Sequence, residues 1–162
     1  MNKNILITGG AGFIGSNLSL ALFEKGYNIT VLDNLSHQIH GQNPSETSTL
    51  YRSIKDKVFF INGTVTSRED WNKALIGQDI IVHLAAETGT GQSMYSIEKY
   101  TKVNVQGTAL MLDILANNKH NVQKVVIASS RSIYGEGKYI HPEFGVVYPN
   151  HRNEDDMLAG NF

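Results

Sequence analysis

The strongest constraint on this chain lies in residues 1–33. A short apolar run, Ile5-Leu6-Ile7, leads into Thr8-Gly9-Gly10-Ala11-Gly12-Phe13-Ile14-Gly15-Ser16. A helical pattern follows, then a second apolar run, Ile29-Thr30-Val31-Leu32, closed by Asp33. Strand, glycine-rich turn, helix, strand and acid is the layout of a dinucleotide-binding βαβ unit. Gly9 suits the tight turn out of the first strand. Gly12 lets backbone N–H groups approach a pyrophosphate, and Gly15 lets the helix lie close to the sheet. The helix N-terminus adds unpaired donors and a positive dipole end. Asp33 stands eighteen residues after Gly15, where a carboxylate can accept hydrogen bonds from ribose hydroxyls. Two other readings share part of this pattern: a glycine turn with no ligand, and a methyltransferase loop for a different nucleotide. The Phe13-Ile14 pair argues against the second.

Composition narrows the field by exclusion. A formal net charge of −1 provides no basic field for nucleic acid or an anionic membrane. With no cysteine there is no disulfide framework and no thiolate site. The six histidines show no ligand spacing, so no metal site is expected. The N-terminal apolar run is too short for a signal peptide, and no segment has the length to span a bilayer. A cytoplasmic protein is expected.

The rest of the chain alternates strands and helices. Strands are expected over 4–8, 28–32, 58–61, 79–84 and 122–128. The first helix, 13–25, has Ile14, Leu18, Ala21 and Leu22 at helical spacing, with Gly26 as its stop. Residues 34–50 are polar and read as a loop, with a short helix near 45–54. Ser67 followed by Glu69 and Asp70 reads as a cap and acidic first turn for a helix reaching Ile76. The longest helical pattern, 96–118, has two apolar stripes: Val103, Gly107, Leu110 and Ile114, and Val105, Ala109 and Leu112. So wide a face predicts burial on the sheet and against something else, such as a second copy in a homodimer. Beyond Ser129 the chain reads as irregular, with a last helical turn over 153–158. Trp71 and Met94 are expected to pack in the core or a loop, His83 to pack at a strand end, and Asp155-Asp156 to lie in a solvated turn. The fold class is α/β, a Rossmann-type doubly wound parallel sheet in the order 3-2-1-4-5. The binding crevice then falls at the C-terminal ends of strands one and four.

Three later segments narrow this further: Val82-His83-Leu84-Ala85-Ala86, Asn104-Val105-Gln106-Gly107-Thr108 and Ser129-Ser130-Arg131-Ser132-Ile133-Tyr134-Gly135. With the glycine loop and Asp33-Asn34-Leu35-Ser36, they resemble the extended short-chain dehydrogenase/reductases, in particular the NAD-dependent epimerase/dehydratase family and its nucleotide-sugar 4-epimerases. The resemblance implies NAD as cofactor and a nucleotide sugar as substrate. It places Gly9, Gly12, Phe13, Ile14 and Gly15 at the pyrophosphate, and Asp33 and Asn34 at the adenosine ribose. Leu84, Ala85 and Ala86 would line the cofactor, and Asn104 would lie near it and the active-site loop. Ser130 would hydrogen-bond the reacting sugar hydroxyl. No arginine closely follows Asp33, which favours NAD over NADP. Thr64 stands where the family carries an aspartate at the adenine, and Val65 keeps the packing role beside it. Arg131 and Ser132 replace an acid pair that supports dehydration, which favours epimerisation. The loop 87–94 is similar to that of 4-epimerases of deoxysugars. The family's catalytic Tyr-x-x-x-Lys, on the helix after Ser130, is expected to be missing, and Tyr148 with Arg152 is taken as coincidence beside Pro149. Residues 1–162 are thus expected to form an incomplete NAD-binding domain, the N-terminal part of an epimerase. The alternatives are a non-catalytic dinucleotide-binding module or an inactive remnant.

Overall fold

The computed structural model describes residues 2–150 and 152–161; the side chains of residues 131 and 132 lie outside that description. The chain divides into two compact units, Met1–Ala128 and Ser129–Phe162.

The first unit is built on five parallel strands in the order β3-β2-β1-β4-β5. They are β1 (Asn4–Thr8), β2 (Asn28–Asp33), β3 (Phe59–Asn62), β4 (Ile80–His83) and β5 (Lys124–Ile127). Central β1 has a continuous apolar middle, Ile5-Leu6-Ile7, because helices cover both faces of the sheet. Its side chains alternate between two cores. Leu6 joins Leu32, Val65, Trp71, Ala74, Ile81, Met111 and Ile114. Ile5 and Ile7 join Ala11, Ile29, Val31, Leu35 and Ile54 on the other face.

The helices of this unit are α1 (Phe13–Glu24), α2 (His37–His40), α3 (Pro44–Thr47), α4 (Thr49–Ile54), α5 (Arg68–Ala74), α6 (Thr90–Ser93), α7 (Ile97–Tyr100) and α8 (Gly107–Asn117). Among the described residues, no helix is long and apolar enough to cross a membrane. The Ser67 hydroxyl caps α5 by accepting from the Asp70 N–H, as its sequence implies. In residues 34–50, expected to be a polar loop with a short helix near 45–54, α3 and α4 occupy that helical stretch, while the added turn α2 and the burial of His40 and Ser48 depart from a loop. The long pattern 96–118 is not one α-helix. Between α7 and α8, Thr101–Gln106 widens into a π-helix. In α8, Gly107, Met111 and Ile114 turn to the core, while of the second stripe Leu112 in α8 and Val105 in the π-helical stretch are exposed.

The face of α1 also differs from its expected stripe. Gly15, Ser16 and Ser19 are buried, whereas Ile14 is 66% exposed and Ala21 faces solvent. The helix lies too close to the glycine turn for a larger residue. A Cβ on Gly15 would land on the Gly9 carbonyl oxygen and the Gly10 Cα. Leu18 and Leu22 pack at the margin of that contact. Trp71 is fully buried as expected, but Met94 is exposed.

In the second unit a 3-10 turn, Arg131–Tyr134, precedes an antiparallel hairpin, β6 (Tyr139–His141) with β7 (Gly145–Val147), and α9 (Glu154–Leu158). The hairpin replaces the expected irregular segment. Its turn is organised by His141, whose Nδ1 accepts from the N–H groups of Glu143 and Phe144 at 3.1 and 3.3 Å. Gly145 completes it at φ +69°. Asp155 and Asp156 are exposed on the first turn of α9, capped by Asn153.

Candidate functional site

The site is assembled where β1, β2 and β4 end. Three glycines shape its floor because the backbone needs them. Gly9 has φ +67°, and a Cβ there would lie 2.8 Å from the Ala85 nitrogen. A Cβ on Gly10 would lie 2.7 Å from the Val31 methyls, and Gly15 is closed by the loop backbone. Gly12 is different. Its backbone is extended at φ −69°, ψ 175°, and a Cβ would meet only the Gly9 carbonyl, at 3.3 Å. A side chain at Gly12 asks the Gly9 carbonyl to give only a few tenths of an ångström, far less than at Gly9, Gly10 or Gly15, and the glycine keeps space open at the N-terminus of α1. That terminus has no side-chain cap and no acid in its first turn. The first-turn N–H groups therefore remain available to an anion. Phe13 and Ile14 stand exposed at this mouth.

Asp33 ends β2 and is almost buried. Its Oδ2 accepts from the Ala11 N–H at 3.0 Å, tying the strand to the glycine loop. Its Oδ1 accepts from the Leu35 N–H at 2.9 Å. That second bond accompanies a left-handed backbone at Leu35, φ +49°, which is uncommon for leucine. A carboxylate has further lone pairs for ribose hydroxyls. Behind it lies a residue the sequence did not single out: buried His40, whose Nε2 is 4.0 Å from Asp33 Oδ1 and whose Nδ1 is 2.8 Å from the Ser48 hydroxyl. Nothing in the polar run 34–50 marks that pairing. Asn34 is exposed beside Asp33. The Thr64 hydroxyl accepts from the Thr66 N–H at 3.2 Å, and its own N–H donates to Asp70. The Val65 side chain belongs to the core.

The end of β4 is tied to β1 and to the long helix by a chain of hydrogen bonds. The Ala85 N–H donates to Thr8 Oγ1 at 3.2 Å, and Thr8 Oγ1 is 2.7 Å from His83 Nδ1. His83 Nε2 is 3.1 Å from Thr108 Oγ1, which donates to the Asn104 carbonyl at 2.8 Å. Since the Thr108 proton is committed to that carbonyl, Nε2 carries the imidazole proton and Nδ1 accepts from Thr8. Burial holds His83 below its ordinary value of 6.5, consistent with a neutral ring. The strand-end packing role expected of His83 thus comes with two polar ties. Asn104, in the π-helical stretch, takes the Glu87 N–H at 2.8 Å and donates to the Glu87 carbonyl at 3.0 Å. Leu84, Ala85 and Ala86 lie between these two anchors.

Ser130 belongs to the second unit, where its carbonyl accepts from the Ile133 N–H. The side chains of Arg131 and Ser132 lie outside the described residues. The Tyr-x-x-x-Lys spacing, expected to be missing, occurs three times: Tyr51 with Lys55, Tyr95 with Lys99, and Tyr134 with Lys138. None has the local setting of the family pair. Tyr51 packs edge-on against Phe60 at 4.9 Å as part of the core. Tyr95 precedes α7, and Lys99 is paired with Glu87 at 2.8 Å. Tyr134 ends the 3-10 turn, and Lys138 lies beyond it in non-helical chain. Tyr148 and Arg152 are also non-helical, and Arg152 meets Glu136 at 3.4 Å.

An uncapped helix N-terminus, an open Gly12 and a strand-end carboxylate fit a dinucleotide's pyrophosphate and ribose. Residues 5–153 match the NAD dependent epimerase/dehydratase family. The chain is 35% identical over 162 residues to a dTDP-L-rhamnose 4-epimerase of Burkholderia thailandensis, covering 99% of this chain and 43% of that protein. It is 34% identical over 140 residues to a UDP-glucose 4-epimerase of Drosophila melanogaster, covering 84% and 39%. A crystal structure of UDP-glucose 4-epimerase from Bifidobacterium longum in complex with NAD+ and UDP superposes with a TM-score of 0.66 at 26% identity, covering 82% of this chain and 38% of that one. The chain thus spans about two-fifths of the length of these relatives.

Proposed function

Because the chain belongs to the NAD dependent epimerase/dehydratase family, we propose that it holds NAD at the ends of β1, β2 and β4 and forms the cofactor-binding part of a nucleotide-sugar 4-epimerase. The observation that carries this reading is Gly12, the least crowded glycine of the loop, at the uncapped end of α1. The α1 N-terminus, with Phe13 and Ile14 at its rim, receives the pyrophosphate. Asp33 and Asn34 take the adenosine ribose, and the Thr64 hydroxyl takes the adenine edge. Leu84, Ala85 and Ala86 line the nicotinamide side, and Asn104 fixes that segment through Glu87. NAD, when bound, supplies a reversible hydride acceptor for the sugar carbon. Ser130 orients the sugar hydroxyl. The proton-accepting role is assigned to no described residue, since Tyr51 packs in the core, Lys99 is paired with Glu87, and Lys138 lies beyond a 3-10 turn in non-helical chain. That same fact favours, for these 162 residues acting alone, the second reading of a non-catalytic dinucleotide-binding module. A 6-deoxyhexose nucleotide is the favoured substrate class, on the loop 87–94 and the Burkholderia thailandensis relative. Exposed Val105 and Leu112 provide the surface for a second copy.

Calorimetric titration of the 162-residue chain tests the cofactor assignment. We expect NAD+ to bind, and NADP+ to bind about tenfold or more weakly, because a 2′-phosphate beside Asp33 sets like charges together without a nearby arginine. Equal or tighter binding of NADP+ would overturn the preference, and no binding of either would overturn the site.

A further inference from the structure

We propose that Gln38 and Gln92 form a clasp over the glycine loop that slows dinucleotide release, with Tyr100 holding Gln92 in place. The proposal rests on the cofactor reading above and goes beyond it. Sheet order supplies the first argument. β1 lies between β2 and β4, and its C-terminal end carries the loop 9–15. Gln38 lies on α2, which follows β2, and Gln92 on α6, which follows β4. In the sheet order, β1 and its loop stand between the strands that lead into α2 and α6, so a direct link between these two helices joins the two sides of the crevice. That link exists as a reciprocal amide pair. Gln38 Nε2 donates to Gln92 Oε1 at 3.3 Å, and Gln92 Nε2 donates to Gln38 Oε1 at 3.4 Å.

The second argument is that the strap beneath the clasp is built. At its base, both backbone groups of Glu87 are held by Asn104, and the Glu87 carboxylate meets Lys99 at 2.8 Å. Above the base, the Tyr100 hydroxyl lies 2.8 Å from the Thr88 carbonyl, 3.1 Å from that of Gly89 and 3.0 Å from Gln92 Oε1, sharing one proton among them. Gly89 has φ +126°, and a Cβ there would lie 3.1 Å from that hydroxyl, so the glycine makes room for it. The base is tied by a side-chain amide and an ion pair. The tip is joined to α2 by two long, exposed hydrogen bonds, the weakest links in the series and hence the place to open.

The test is release of NADH from the full chain, followed by stopped-flow fluorescence after displacement with excess NAD+. Gln38→Ala and Gln92→Ala each remove the pair and are expected to raise koff about 3- to 10-fold, the worth of one net hydrogen bond. Association is expected to be unchanged or faster. The double variant should release no faster than either single variant, because both break the same clasp. Tyr100→Phe, which leaves the ring in place, should raise koff by a smaller factor. Unchanged koff in both single variants, or effects that multiply in the double, would overturn the clasp. Failure of the unaltered chain to bind NADH would overturn the cofactor reading and the clasp with it. Normal binding with unaltered release overturns the clasp alone.

Discussion

The loops 9–15 and 84–93 meet at Gly9 and Ala85, and they are held in opposite ways. The first is shaped by what is missing. Gly9, Gly10 and Gly15 leave out side chains that would collide with Ala85, Val31 and the loop's own carbonyl. The second is shaped by side chains reaching in from elsewhere: Thr8 to Ala85, Asn104 and Lys99 to Glu87, Tyr100 to Thr88 and Gly89, and Gln38 to Gln92. A wall made of omissions is rigid, because moving it requires forcing backbone through backbone. A wall made of side-chain ties can be loosened one tie at a time.

The sharpest way to break this comparison lies within the first loop. Gly15→Val is expected to prevent folding, since no neighbouring side chain can yield space. Gly12→Val is expected to leave the circular dichroism spectrum and melting temperature nearly unchanged while NAD binding falls by about 100-fold or more. Loss of two or three charge-assisted hydrogen bonds at the α1 terminus is of that size. A folded Gly12→Val chain that binds NAD normally would show that the phosphate lies elsewhere.

A smaller effect is expected in the second loop. Asn104→Ala removes both partners of the Glu87 backbone at a partly exposed position, where water replaces part of the loss. The expected cost is about 1 kcal/mol. It should appear as faster hydrogen exchange at the amides of residues 86–92 and as NAD binding weaker by a few-fold. Exchange as slow as in the unaltered chain would mean that the ion pair and Tyr100 hold the loop without Asn104.

The same contrast explains what could be read from the sequence. The glycine loop was legible because its constraints are local: strand, turn and helix follow one another, and the acid closes the unit. Strand order followed from alternation of strands and helices. The ties of the second loop carry no local signature. Gln38 and Gln92 are ordinary polar residues until the fold brings them together across β1. His40 lay in a run that reads as solvent-facing, yet Ser48 and Asp33 give it polar neighbours in a buried position. The buried face of α1 departs from its apolar spacing for a related reason. Apolar spacing points to Ile14 and Ala21, but the close approach of the helix to the sheet selects Gly15, Ser16 and Ser19. The hairpin 139–147 leaves no mark in the sequence because three-residue strands show too little alternation to register, and its turn depends on the His141 ring. The Tyr-x-x-x-Lys spacing teaches the converse: three chance copies occur, and only local structure separates them from a catalytic pair.

The smallest expected effect concerns His83, which joins the two walls through Thr8 and reaches the long helix through Thr108. Its ring is neutral in the folded chain because burial disfavours the charged form, so its folded pKa lies below the ordinary 6.5. In the unfolded chain the same ring gains a proton as pH falls through about 6.5. Below that point the unfolded state binds more protons than the folded state, and stability falls with pH. The contribution is whole above about pH 6.5 and is lost as pH falls from there toward the depressed folded value. Each unit between the two values is worth about 1.4 kcal/mol. The geometry reinforces the sign, since a proton on Nδ1 would point at the hydroxyl proton that Thr8 donates to it. The measurement is thermal melting at a series of pH values from 7.5 down to 5 for the unaltered chain and His83→Leu. The variant is expected to be less stable at pH 7.5, because Thr8 and Thr108 lose their partner. It should also lose less stability on acidification. The slope carries the test: parallel pH profiles would mean that His83 stays neutral for no thermodynamic reason the fold supplies, and that acid sensitivity arises at another group.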